Sequence, residues 1–298
     1  MSSAPNYVCT PEQVTAAFNE IKTELLRGKT ADVTPKILVV AGLQGSGKTF
    51  LLENKLLPSG SYENYVRLYL PEYRKKHPQY AEMIKLGVLH AYEHTAAFIQ
   101  QLGTKIFTEA FTLKYNIIME CAFDDIGFAT FAPLTTAAGY QFETHIVGCT
   151  QAFAHISSIK RALRSLENRE LERFVTYKHL DASMSNARAI ILAFEVASKA
   201  VGGSQVTLYE RGLGVLKERV LRVHNTYTKA ADGTPSTMPS LYDAFDNIIN
   251  YHIYDPAERD EMIKECHLAL LKAQTYAQLV PDFVYNDLYA YIVKYVYR

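Results

Sequence analysis

One lysine, one threonine and three glycines stand at a spacing that can do chemistry: Gly42-Leu43-Gln44-Gly45-Ser46-Gly47-Lys48-Thr49 fits Gly-x-x-x-x-Gly-Lys-Thr, the Walker A pattern. That chemistry is the grip of a nucleoside triphosphate. Glycine at 42, 45 and 47 permits positive φ, so successive amide N–H groups can turn inward to phosphate oxygens, where a Cβ would crowd the anion. The helix begun at Lys48 presents its unpaired N–H groups and positive dipole end to the same charge. Lys48 can reach the β- and γ-phosphates, and the Thr49 hydroxyl is placed to ligate Mg²⁺. The expected nucleotide contacts are therefore Gly42, Gln44, Gly45, Ser46, Gly47, Lys48, Thr49 and Phe50, with ATP and Mg²⁺ as cofactors and Thr49 as the metal ligand.

Carboxylates and guanidiniums downstream supply the other parts a phosphoryl transfer needs. Glu72 follows a candidate second strand, and Glu120, Asp124 and Asp125 follow a third; strand ends beside a phosphate loop are where a carboxylate can accept the proton of an acceptor hydroxyl. Asp124 and Asp125 could equally cap the helix that starts near Phe128. Lys160, Arg161, Arg164, Arg169, Arg173, Lys178 and His179 crowd the segment after the fourth strand, where a mobile lid could bring arginines to the charge that spreads over a transferring phosphoryl group. His90 and His94 lie one helical turn apart, but no Glu follows His90, so the pair lacks the His-Glu-x-x-His metal pattern.

The elements that must position these residues alternate between strand and helix. Thr10-Pro11-Glu12-Gln13 reads as a capping box opening a helix with Val14, Phe18, Ile21 and Leu25 on one face, ending near Gly28. Strands are expected at 36–41, 65–70, 115–120, 142–149 and 205–210, with helices at 81–113 and 187–201. All-apolar strands between helices imply a mostly parallel, doubly covered sheet. After Gly212 the strand signal ends; the pattern predicts a helix to about Ala231, a turn-rich linker over 232–239, and two or three helices ending in a tyrosine-rich one with Tyr285, Tyr289, Tyr291, Tyr295 and Tyr297. The fold class expected is α/β, a P-loop kinase-like sheet over 1–215 with a helical C-terminal extension over 216–298.

With 31 basic and 31 acidic side chains there is no net charge to favour non-specific nucleic-acid or membrane-surface binding. Cys9, Cys121, Cys149 and Cys266 make no Cys-x-x-Cys pair, which suits reduced thiols. Residues 1–6 lack the basic start and apolar core of a secretory signal, and no apolar run is long enough to span a bilayer. The expected location is a cytoplasm, either of the producing cell or of a target cell into which the chain is delivered.

The capped N-terminal helix, the strand and loop through Thr49, the run Tyr73-Arg74-Lys75-Lys76-His77-Pro78-Gln79-Tyr80 and the strand Tyr115-Asn116-Ile117-Ile118-Met119-Glu120 together resemble the zeta toxin family. Gln205–Gly212 is similar to that family's late strand, so the likeness covers about residues 10–215. The aromatic-basic-x-x-His-Pro-x-aromatic run is its more specific part. The resemblance implies a P-loop kinase acting on a sugar hydroxyl of UDP-N-acetylglucosamine, or on other targets as in effector relatives, with an antitoxin or host protein as partner. It implies ATP and Mg²⁺ roles for Lys48 and Thr49, lid roles for Arg161 and Arg173, and acceptor-side positions for Arg74, Glu120 and Thr104. Three acceptor positions depart from the family: its catalytic Asp aligns with Pro71, a sugar-holding Glu with Thr104, and its Glu-Gly-Thr with Glu120-Cys121-Ala122. The nucleotide half is intact and the acceptor half rewritten. The expected acceptor is a hydroxyl of a small molecule, a nucleotide or nucleotide sugar, with Glu72 or Asp124 as base. A nucleotide-binding pseudokinase and a protein-modifying transferase are the rival readings.

Overall fold

The computed structural model describes residues 7–228 and 240–297. It opens with α1 (Pro11–Leu25), where Thr10 and Gln13 form the expected capping box and Val14, Ala17, Phe18 and Ile21 are buried. β1 (Lys36–Ala41) is buried at every position from Ile37 onward, as a central strand covered on both faces must be. The phosphate-loop sequence follows and leads into α2 (Lys48–Leu51), which continues as a π-helical turn over Leu52–Leu56.

β2 (Tyr65–Arg67) is shorter than the strand expected to reach Leu70. Its last ladder bond runs from Leu68 N to Ile118 O, after which Pro71, with no N–H to donate, starts a 3₁₀ turn over Pro71–Lys76. The helical stretch expected over 81–113 is divided into α3 (Tyr80–Met83), α4 (Val88–His94) and α5 (Ala96–Thr112). Gly87, at φ +117°, makes the first break. The Thr95 hydroxyl bonds the carbonyls of Ala91 and Tyr92 at the second.

β3 (Asn116–Cys121), α6 (Gly127–Ala137), β4 (Gln141–Gly148) and α7 (Gln151–Asn168) follow as expected. α8 (Tyr177–Ala200) begins well before Ala187, because the Thr176 side chain accepts from His179 N and caps it. β5 (Gln205–Glu210) is then followed by a strand rather than a helix. β6 (Val220–Thr226) pairs antiparallel with β5, from Gln205 opposite Thr226 to Glu210 opposite Val220. The expectation of a helix to Ala231 is thus corrected: Val220 and Val223 suit a strand, a 3₁₀ turn over Gly214–Glu218 reverses the chain, and Arg222 pairs with Glu210 across the two strands at 2.6 Å. The end of that helix near Ala231 and the linker at 232–239 lie outside the described residues. α9 (Leu241–Asn250), α10 (Pro256–Thr275) and α11 (Asp282–Val296) complete the chain.

The sheet order is β2-β3-β1-β4-β5-β6, parallel except for β6. Ala41 aligns with Cys121 on one side and Ile146 on the other, so the ends of β3, β1 and β4 share one edge. The chain order reverses at β1, so the crevice at that edge is where such sheets bind ligands. One face carries Ile37, Val39, Ile117, Phe142 and Val206 into the main core; the other carries Leu38, Val40, Ile118 and Val147 against Leu51 and Leu52. The C-terminal helices belong to the main core: Phe245 packs edge-on to Phe123, and Tyr291 and Tyr295 are buried while Tyr289 and Tyr297 are exposed. The helical part therefore begins after β6 and docks on the kinase-like body. All four cysteines are unpaired.

Candidate active site

The loop between β1 and α2 has the conformation its glycines allow. Gly42, Gly45 and Gly47 lie at φ +146°, +88° and +96°. A Cβ on Gly45 would sit 2.0 Å from the Ala154 carbonyl oxygen and one on Gly42 2.4 Å from that of Val147, so α7 and the end of β4 press against the loop from behind. The buried Ser46 hydroxyl has no partner among the described residues. Lys48 is buried, and its Nζ donates to the carbonyls of Gly42 at 2.8 Å and Leu43 at 3.0 Å. Burial pushes its pKa down, against the pull of Glu120, Cys121 and Asp124. A lysine so desolvated and aimed along the loop is suited to phosphate oxygens, which are stronger acceptors than carbonyls.

Thr49 Oγ1 donates to Glu120 Oε2 at 2.9 Å. A hydroxyl and a carboxylate side by side form an all-oxygen pair of the kind Mg²⁺ takes, so these residues fit the metal that the loop pattern implies. They join α2 to β3, whose register beside β1 sets Glu120 opposite Val40.

Of the two expected lid arginines, Arg173 bonds the loop and Arg161 lines the cavity in front of it. Arg173 Nη2 donates to Gln44 Oε1 and to His179 Nε2, each at 3.2 Å. His179 accepts from a cation, and its pKa is lowered by burial and by Arg173, against Asp124. Arg161 is half-exposed and pairs through Nε with the buried Glu172 at 2.5 Å; Glu172 Oε1 also accepts from the Arg173 backbone N–H. Arg161 lines a cavity of 390 Å³ together with Gln44, Gly45, Gly47, Lys48, Thr49, Phe50, Ser157, Lys160, Arg164 and Arg211. This opens toward a larger cleft of 1080 Å³ between α7, the segment after β5 and α10, which shares Ser157, Lys160, Arg164 and Arg211.

The expected acceptor-side residues are dispersed. Asp124 is exposed at the end of β3 and acts electrostatically on both Lys48 and His179. It follows Phe123, a buried residue held in the left-handed region at φ +62° with its carbonyl bonded by Asn186 Nδ2. The Asp125 carboxylate accepts from Gly127 N at 2.8 Å, in the turn that leads into α6, whose own N-cap position is Ile126. Glu72 is exposed on the 3₁₀ turn and is not among the cavity-lining residues. Arg74 is buried; it stacks 3.9 Å over the Tyr92 ring and donates to Tyr69 Oη, Tyr92 O and Thr95 Oγ1. Arg173 lies 5.8 Å from the centroid of the same ring. Thr104 is exposed on α5 and its hydroxyl bonds back to Gln100 O. The His90 and His94 rings lie 4.2 Å apart, tilted by 53°, beside Tyr7, and no cluster of three or more metal-ligating side chains occurs among the described residues.

Sequence reasoning missed Tyr92, Glu172, Arg211 and Arg219. Arg211 Nη1 donates to Gly45 O at 2.9 Å and Arg219 Nη2 to Gly47 O at 3.2 Å. A signal for Arg211 existed: it is the first residue after β5, at the edge where the loop lies. Arg219 had none, since a turn and the reversal into β6 bring it back.

Residues 22–232 match the family model of the zeta toxins. The chain belongs to the zeta toxin family. It is similar to the toxin zeta of Streptococcus pyogenes, 23% identical over 157 residues that make up 51% of this chain and 53% of the relative. The chain spans about half the length of the curated relatives it matches. Among solved structures it is similar to a chain of the PezAT chromosomal toxin-antitoxin system of Streptococcus pneumoniae, with TM-score 0.63 and 16% identity, covering 90% of this chain and 98% of that one. It is also similar to a chain in a structure of AvrRxo1-ORF1:-ORF2 with ATP, with TM-score 0.50 and 12% identity, covering 94% and 86%. These structural likenesses bear out the α/β kinase-like fold with its helical C-terminal part. No helix among the described residues is long and apolar enough to cross a membrane.

Proposed function

We propose that this zeta toxin family member is an ATP-dependent kinase that transfers the γ-phosphate to a hydroxyl of a small molecule, a nucleotide or nucleotide sugar. One observation carries the reading: beside Lys48 and Thr49 of the loop itself stand Glu120, Arg161 and Arg173 from three other segments, β3, α7 and the stretch after α7. Lys48 would bind the β- and γ-phosphates, and the loop amides would hold the polyphosphate in a concave ring of N–H dipoles. Mg²⁺ held at Thr49 and Glu120 would neutralise charge on the phosphate oxygens. Arg161 and Arg173 would stabilise the charge on the transferring group, Arg173 already being oriented by Gln44 and His179.

For the base we favour Asp124 over Glu72. Asp124 lies within electrostatic reach of Lys48 and His179, whereas Glu72 sits on an exposed turn. A base needs only to come within hydrogen-bond reach of the hydroxyl, so a carboxylate at the β3 end can stand in for the one lost at Pro71. The replacement of Glu-Gly-Thr by Glu120-Cys121-Ala122 removes a hydroxyl that would touch an acceptor, which argues for an acceptor other than UDP-N-acetylglucosamine. Since the PezAT neighbour comes from a toxin-antitoxin system, we include an antitoxin-like protein as the partner to seek.

Incubating the pure protein with γ-labelled ATP, Mg²⁺ and fractionated metabolites tests this. Label should move to a small molecule and vanish with Lys48→Ala. ATP binding without transfer to any fraction would favour a pseudokinase. Labelled protein bands with no labelled metabolite would favour a protein-modifying transferase.

A further inference from the structure

The phosphate loop is gripped from outside as well as from within. Arg211, just past β5, and Arg219, at the start of β6, donate to the carbonyls of Gly45 and Gly47. A Cβ on Gly47 would meet Arg219 Nη2 at 2.5 Å and Arg211 Nη1 at 3.1 Å, so both guanidiniums lie directly on the loop. The peptide whose carbonyl Arg219 holds is the one whose N–H, at Lys48, begins the helix. Fixing that carbonyl outward fixes the N–H on the opposite side.

The arrangement is costly in three ways. Neither guanidinium forms an ion pair with a carboxylate among the described residues, although the two lie side by side. Each has a buried Nε with no partner. Arg219 also takes a left-handed backbone at φ +65°, ψ 100°, which a non-glycine residue keeps only when its surroundings impose it. Burial and the neighbouring charge of Arg211 lower the Arg219 pKa to about 10. Aromatic faces hold the pair in place: Arg219 stands 4.4 Å over Phe50, the residue after the loop threonine, and Arg211 4.9 Å over Phe153. By contrast Arg161, on the same cavity, has its own carboxylate in Glu172.

We propose that Arg211 and Arg219 form a clamp for the polyphosphate of the nucleotide. Arg211, which lines the cavity in front of the loop, binds phosphate oxygens directly. Arg219 is a positioning residue that acts through the Gly47 carbonyl and Phe50. Two adjacent cations without a carboxylate ion pair, set on the separate loop peptides of Gly45 and Gly47, match charge spread over successive phosphate groups rather than one, so the clamp selects di- and triphosphates over monophosphates. The assignment rests on the nucleotide-binding reading of the loop.

Isothermal titration of the full chain with ATP, ADP and AMP, using wild type, Arg211→Gln, Arg219→Gly and Lys48→Ala, tests it. Arg211→Gln and Arg219→Gly should each weaken ATP and ADP about tenfold, as loss of a charge-assisted hydrogen bond does, and change AMP less than about twofold. Because glycine accepts the left-handed backbone, Arg219→Gly should melt at or above the wild-type temperature while binding ATP more weakly. A merely structural arginine would lower both together, and that result overturns the proposal. ATP and ADP affinities within twofold of wild type overturn it too, as does an equal loss for AMP. If Lys48→Ala weakens ATP while the arginine variants do not, only the clamp fails; if Lys48→Ala also leaves ATP affinity unchanged, the nucleotide reading itself fails.

Discussion

The loop from Gly42 to Thr49 and the stretch from Pro71 to Thr104, where the family resemblance leads one to expect acceptor contacts, are built on opposite principles. In the loop, residues eight apart or closer make the site: positive φ at three glycines, a lysine folded back on the carbonyls of Gly42 and Leu43, a helix start. Along the acceptor stretch the expected residues part company. Arg74 is locked under Tyr92 and Thr95, Thr104 faces outward, and Glu72 sits on a short turn. A phosphate is gripped by backbone amides that any sequence with the right glycines supplies. An acceptor is recognised by side chains from several segments, each of which can change without disturbing the fold. On the proposed reading, this difference lets a nucleotide half stay intact while an acceptor half changes.

The largest effect that would sharpen this contrast is Gly45→Ala. Its Cβ would press on the Ala154 carbonyl at 2.0 Å from a φ of +88°, so calorimetry should show no ATP binding, with the protein destabilised by about 1–3 kcal/mol in denaturant titrations. Next comes Arg173→Ala, which should lower kcat by about 10³-fold, as removal of an arginine from phosphoryl transfer does, with the KM for ATP changed far less. Asp124→Asn should lower kcat by about 10²-fold in steady-state assays, within the range for general bases, while Glu72→Gln stays within about threefold. The reverse ranking would move the base to Glu72 and return the acceptor site to the Pro71 turn.

The smallest effect concerns the link between the arginine-bearing segment and the C-terminal helices. His155, fully buried in α7, bonds Tyr291 Oη through Nδ1 and the Val175 carbonyl through Nε2, both at 2.8 Å. Burial lowers its pKa, against the Val175 carbonyl and Asp287. Above about pH 6.5 folded and unfolded forms are both neutral; below it the unfolded chain binds a proton that the folded one resists, so stability falls as pH drops. Chemical denaturation at pH 7.5 and 5.5 should show that decline, and His155→Gln should reduce it. His77, His90 and His179 are shifted the same way and keep part of the slope.

Much of the fold was legible because its signals are local. The box at Thr10 and Gln13, the buried runs of β1 and β3, and the loop glycines each act within a few residues. β6 was not, since its strand character comes from pairing with β5 across a 3₁₀ turn rather than from a strong pattern of its own. The early start of α8 was readable in hindsight from Thr176 as cap. In the site, Lys48, Thr49, Arg161 and Arg173 were legible from motif and family likeness. The partnership of Thr49 with Glu120 depends on strand register, and the hold of Arg219 on Gly47 depends on a chain reversal. Neither can be read along the chain.

The most direct test of a triphosphate held by this loop under two arginines is a crystal structure with a non-hydrolysable ATP analogue and Mg²⁺. Lys48 Nζ should leave the carbonyls of Gly42 and Leu43 for β- and γ-phosphate oxygens, with Arg161 and Arg173 turned to the γ-phosphate. Analogue bound elsewhere, with Lys48 still on those two carbonyls and the arginines facing away, would contradict it.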